Sequence, residues 1–260
     1  MTAIRLIVQS NPADADARAP DLVKFSAAVR QEPGCLQAED FRGTEFSEDL
    51  LHIELWESPA AFDAHWQRAL AEGQRAMLAE LLALQAPYRF GSPQSPRRHG
   101  QNGIELYEHR YFTLHNQVWA RLEESERSAY LRWPAWGAVR ILIQNTSDPN
   151  ADPSRKVQTA LETRHEKGCD QFENFRGIEF PENTVAMETW TTPEIYDIHW
   201  LNRLLQQRRA ATQPPPPQPT PVERRYGRPG FEWYSLCYYT VLNDVWMPED
   251  PARRMLTVQW

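Results

Sequence analysis

The chain has 260 residues, 41% of them hydrophobic, enough for one large or two ordinary domains each with its own core. Its net charge of −7 is spread without a Lys/Arg stripe, so a nucleic-acid partner has no electrostatic footing. No run of eighteen apolar residues offers a membrane span, no leader pattern follows Met1, and Cys35, Cys169 and Cys237 lack CxxC spacing, so the expected setting is a reducing cytoplasm without membrane, disulfides or structural zinc.

In chain order, Ile4–Ser10 reads as a short apolar strand. Leu22, Phe25 and Val29 recur at helical spacing until Pro33-Gly34 stops that helix. Cys35–Phe46 and Leu50–Glu57 form a hairpin-like pair of strands. Ser58-Pro59 is an N-cap followed by proline at the first helical position, opening a helix with Phe62, Trp66, Ala69 and Leu70 along one face. Ile104–Leu114 reads as a closing strand, which completes β-α-β-β-α-β.

The order then repeats. Residues 34–66 superimpose on 168–200 at a constant offset of 134, with 16 identities in 33 positions. The match extends to Ile4–Ser10 against Val139–Asn145, and to Gly103–Tyr107 with Asn116–Trp119 against Gly230–Tyr234 with Asn243–Trp246. The proline-rich stretch 212–222 therefore falls inside the second copy as a loop. The chain divides into unit 1 (1–133, with a C-terminal extension) and unit 2 (134–260). Each unit is expected to be α+β, a four-stranded antiparallel sheet with both helices on one side, so the open faces should pack against each other within the chain.

Glu32-Pro-Gly-Cys-Leu36, then Glu54-Leu-Trp-Glu-Ser-Pro59, then His65 on the following helix resemble the antibiotic-biosynthesis-monooxygenase superfamily. Unit 2 has the looser Glu166-Lys-Gly-Cys-Asp170, Glu188-Thr-Trp-Thr-Thr-Pro193 and His199. The resemblance implies ferredoxin-like units paired as a dimeric α/β barrel, here inside one chain. It also implies a natural-product tailoring enzyme: a cofactor-independent monooxygenase acting with O2 on a small aromatic, polyketide-like substrate. A polyketide cyclase or isomerase and a non-catalytic ligand-binding barrel are the alternatives. No cofactor or metal is expected, haem being the second choice. A homodimer of the fused chain is left open.

Comparing the copies separates the strand faces. On the second strand the odd residues Cys35, Gln37, Glu39, Phe41, Gly43 and Glu45 recur in unit 2, while the even face mostly changes. The retained row forms either polar pairs between the units or a cavity wall. Unit 1 alone has His52, His109 and His115, where unit 2 has Ala186, Leu236 and Leu242, which points to one working pocket. The candidate catalytic residues are His65, Glu54, His52 and His109, because an imidazole or a desolvated carboxylate moves protons near neutral pH. Trp56, Trp66, Tyr107, Phe41, Arg42, Asn116, His199 and Trp190 are the candidate substrate contacts.

Overall fold

A computed structural model describes residues 3–71, 103–109, 112–115, 118–121, 139–210, 226, 230–235, 240–242 and 245–247. Unit 1 runs β1 (Ala3–Ser10), α1 (Ala15–Val29), β2 (Cys35–Gly43), β3 (Leu50–Trp56), α2 (Pro59–Ala71), β4 (Gly103–His109), β5 (Phe112–His115) and β6 (Val118–Arg121). Unit 2 repeats the order as β7 (Val139–Thr146), α3 (Ser154–Arg164), β8 (Cys169–Gly177), β9 (Asn183–Trp190), α4 (Pro193–Ala210), β10 (Gly230–Ser235), β11 (Thr240–Leu242) and β12 (Val245–Met247). The inter-unit boundary near residue 133 and the loop 212–222 lie outside the described residues.

Local chemistry accounts for the repeated turns. Gly34 and Gly168 have φ of 84° and 83°, a left-handed conformation that glycine alone adopts freely. A Cβ on Gly34 would also stand 2.5 Å from that of Ala61, so the α1–β2 turn can sit against the first turn of α2. Ser58 and Thr192 cap α2 and α4, accepting the backbone N–H of Ala61 and Ile195 at 3.2 and 3.3 Å.

The sheet is eight-stranded and antiparallel, in the order β10-β7-β9-β8-β2-β3-β1-β4, so the halves join where β2 pairs with β8. Around this joint Arg30 meets Glu179 at 2.8 Å and Arg164 meets Glu45 at 2.8 Å, the same contact made in each direction. Phe41 of the sequence-derived set lies at the joint itself, fully buried.

Each strand splits its side chains between two environments. Ile7, Phe41, Leu51 and Ile53 form one cluster with Leu142, Phe175, Val185 and Met187 of unit 2. On the opposite face Ile4, Leu6, Val8, Ala38 and Trp56 pack against Val29 of α1 and Phe62 of α2. The shared interior also holds a polar seam. Arg5 donates to both carboxylate oxygens of Glu232 at 3.0 and 2.7 Å and to Gln37 at 2.8 Å. Gln37 donates in turn to Gln144 at 2.8 Å and to Glu39, and Gln9 donates to Glu173 at 3.1 Å. The odd row of β2 read from the sequence, Gln37 and Glu39, makes these polar pairs between the halves.

Arg5 lies on β1 and Glu232 on β10, six strand steps apart. In a flat sheet that is roughly 29 Å, so contact at 2.7 Å requires the sheet to roll until its edges meet. The edge strands β4 and β10 do approach each other, without a hydrogen-bonded ladder between them.

The closing strand differs from the sequence expectation of Ile104–Leu114. Its described part ends at His109, which pairs with Ala3, the first described residue of β1. Phe112–His115 belongs instead to a separate hairpin, β5–β6, whose second strand runs beside β10 of the other unit. Unit 2 makes the equivalent hairpin, β11–β12.

Arg5 is fully buried and Glu232 nearly so. Removing the guanidinium in Arg5→Met should therefore strand a carboxylate in the interior and lower stability by about 3–5 kcal/mol. Urea unfolding checks this, and Arg5→Met with Glu232→Leu should recover most of the loss.

Candidate active site

β3 brings His52, Glu54 and Trp56 onto the helix-facing side of the sheet, and the antiparallel register places Asp40 of β2 opposite His52. His52 Nδ1 lies 2.9 Å from Asp40 and Nε2 lies 2.8 Å from Glu54, so an imidazole protonated at both nitrogens donates to a carboxylate at each end. Ser26 of α1 donates to the other Asp40 oxygen at 2.5 Å, and the Trp56 indole donates to the other Glu54 oxygen at 2.7 Å. His65 on α2 stacks on Trp56 with ring centroids 4.7 Å apart. Its Nε2 is 3.7 Å from Glu54, and its Nδ1 is 3.1 Å from Glu32, which also holds Arg68.

Three of the catalytic candidates read from the sequence, His52, Glu54 and His65, thus share one array with Trp56. His109 and Tyr107 are placed by their backbones on β4, but their side chains are not among those described; the same holds for Trp66 on α2, and Asn116 lies outside the described residues. Arg42 points away, bonded to Asp16 and the Ala15 carbonyl on α1.

His52 also forms part of the wall of a cavity of about 350 Å3 between α1 and the sheet, together with Val8, Ser10, Arg18, Leu22 and Leu50. That volume is at the small end of ligand pockets, about 300–1,000 Å3. Sequence reasoning missed Asp40 and Ser26. One signal pointed to Asp40: it and its cross-strand partner His52 differ together between the copies, as Asn174 and Ala186.

The matched site in unit 2 keeps the framework without the central imidazole. Trp190 donates to Glu188 at 2.7 Å, and His199 packs on Trp190 and meets Glu166 at 2.8 Å. The electrostatics diverge accordingly. Burial pushes Glu188 up to about 7, because no neighbouring charge outweighs it. Burial acts the same way on Glu54, but the hydrogen bond and charge of His52 reverse it and hold that carboxyl below its ordinary value. Burial alone would lower His52, yet Asp40 and then Glu54 raise it to about 10. His199 has its protonated form disfavoured, first by burial. Cys35 is driven up to about 12, by burial and then by Glu54, which keeps it a thiol and excludes it as a nucleophile.

Among the described residues, no helix is long and apolar enough to cross a membrane.

Glu188 gives a pH test with a definite sign. Its folded value of about 7 lies above the unfolded 4.5, so the native state holds the proton more tightly. The associated stability is fully present below about pH 4.5 and is lost as pH rises through 7, roughly 3 kcal/mol over that window. Glu188→Gln, which keeps an acceptor for Trp190, should therefore gain stability relative to the parent between pH 5 and 8. Asn174→Asp with Ala186→His, rebuilding the array of unit 1, should bring the Glu188 titration below 4.5 when followed by carboxyl NMR.

Residues 9–76 match the model of the family described as antibiotic biosynthesis monooxygenase, a span that includes Glu32, Asp40, His52, Glu54, Trp56 and His65. No curated protein matches the chain. Among solved structures, a candidate monooxygenase from Lactobacillus acidophilus NCFM is 15% identical, over 91% of this chain and 93% of its own, with a TM-score of 0.30. An anthrone oxidase-like protein is 10% identical over 90% of each chain (TM-score 0.31), and an aldoxime dehydratase bound to butyraldoxime is 11% identical over 90% of this chain and 79% of its own (TM-score 0.48). Likeness at this level carries no argument about chemistry.

Proposed function

We propose that this protein is a natural-product tailoring enzyme of the cytoplasm, a monooxygenase that uses no resident cofactor and oxidises a small aromatic, polyketide-like substrate in the cavity of unit 1. In this reading the rolled sheet is an intrachain dimeric α/β barrel whose second unit, 134–260, serves as scaffold. The observation that carries the proposal is His52, held between Asp40 and Glu54, in the wall of a cavity lined by Val8, Leu22, Leu50 and Leu51 with Asp14, Arg18 and Asp21.

The chemistry needs only a base and dry surroundings. A phenol or an activated ring CH2 loses a proton to neutral His52, whose contact with one of its two carboxylates opens to receive the substrate, and the resulting anion passes one electron to O2. The two radicals combine to form a C–O bond, and the peroxide takes back the proton. Loss of water then breaks the O–O bond and leaves a carbonyl, so one oxygen atom stays in the product and the other leaves as water. Both reducing electrons come from the substrate, which is why no flavin or metal is required.

The identity of the base follows from magnitudes. A phenol ionises near 10, so transfer to a carboxylate below 4.5 costs more than about 7 kcal/mol, whereas transfer to an imidazole of pKa about 10 is nearly level. The neutral imidazole is scarce at pH 7, roughly one molecule in 10³. Turnover of anthrone, followed as O2 uptake, should therefore rise with pH and level off near 10. Asp40→Asn removes the largest influence raising His52 and should move that limb down by at least a pH unit. A flat profile from pH 6 to 10, or a limb that Asp40→Asn leaves in place, would remove His52 from the role of base.

A further inference from the structure

Helix α4 is apolar on two sides. Its inner side sets Ile195, Tyr196 and His199 against Trp190. Its outer side carries Ile198, Leu201 and Leu205, which are 60%, 58% and 51% exposed. These three fall at spacings of three and four, a single stripe along the helix and the pattern by which one helix packs on another. The fold does not demand them. At the matched positions of unit 1, offset by 134, α2 has Ala64, Gln67 and Ala71. Two helices with the same inner task thus differ on the outside, and only α4 presents large aliphatic groups there.

The charges on α4 select the occupant. Its first turn carries Glu194, and Asp197 follows one turn on; both are exposed, and the helix ends in the sequence Arg208-Arg209-Ala210. An acidic start and a basic end complement each other when two such helices run antiparallel. With a two-fold axis between positions 201 and 202, Ile198 of one copy faces Leu205 of the other, the two Leu201 residues meet at the axis, and Glu194 stands opposite Arg209. Opposed helix dipoles add to the fit.

We infer that α4 is a self-association surface, on which a second copy of this chain docks antiparallel along the Ile198–Leu201–Leu205 stripe. A stable dimer buries about 800 Å2 on each partner, and one eighteen-residue helix supplies part of that, so the dimer forms in the micromolar range.

Sedimentation velocity on the full chain from 1 to 200 μM, with native mass spectrometry at both ends, tests this. The parent should pass from monomer to dimer across that range. Giving α4 the residues of unit 1, Ile198→Ala with Leu201→Gln and Leu205→Ala, should leave a monomer at 200 μM with unchanged circular dichroism. Glu194→Arg should weaken the dimer about tenfold, and Glu194→Arg with Arg209→Glu should restore it, a rescue that a purely structural role of these residues would not give. A parent that stays monomeric throughout overturns the proposal, whether the stripe is covered by another part of the chain or by an unrelated protein. So does a triple variant that still dimerises, or a charge swap that fails to rescue a folded protein.

Discussion

The contact between Arg5 and Glu232 closes the molecule. It joins the seventh strand of the sheet to the first, and it is possible only because the apolar residues around it, Ile7 and Ile53 from one half and Leu142 and Met187 from the other, have no helix to cover them. Area burial drives the halves together but does not fix their alignment, since aliphatic side chains pack acceptably at several offsets. Polar groups in a dry interior are less tolerant. A shift of one residue would move Arg5 and Gln37 to the opposite face and take the guanidinium from Glu232 and the amide donor from Gln144. Such a seam adds little net stability over an apolar one; its contribution is a single register.

That division of labour leaves the helix-facing side free to diverge. His52, Glu54 and Trp56 project away from the seam, so exchanging His52 for Ala186 and Asp40 for Asn174 changes nothing in the contacts that hold the halves together. The duplication thereby acts as an internal control. The same Trp-bonded carboxylate is held low beside an imidazole in one unit and driven up to about 7 without one in the other, although both are almost fully buried. Desolvation is common to the two, so the difference between them comes first from His52, with the charge of His65 adding to it, while Arg203 and Glu166 oppose each other at Glu188.

Much of this was legible in the sequence because repetition made it so. The strand and helix order, both N-caps, the glycine turn and the paired odd face of β2 could each be checked against a second copy. The site was only half legible, for a physical reason: a cross-strand partner depends on register, which spacing along the chain does not contain. His52 stood out as a histidine present once, whereas Asp40 looked like one more changed residue on the variable face. Read as a pair, Asp40 with His52 against Asn174 with Ala186, the two differences become one event. The expected strand Ile104–Leu114 divides between two sheets because the pattern of alternating residues does not contain the partner: Gly103–His109 pairs with β1 and Phe112–His115 with β6.

Placing the site outside the shared interior also bears on why two units persist in one chain. A pocket built between the halves would need both copies intact, and loss of either set of residues would abolish it. Here the array of unit 1 draws all its members from Glu32, Asp40, His52, Glu54, Trp56 and His65, with Ser26 behind them and no residue from unit 2. Unit 2 lacks that imidazole yet keeps Gln144, Asn183 and Glu232 in the seam, where a change would be felt by both halves. On β2 and β8 the two faces record that difference, the inner row repeated and the outer mostly changed.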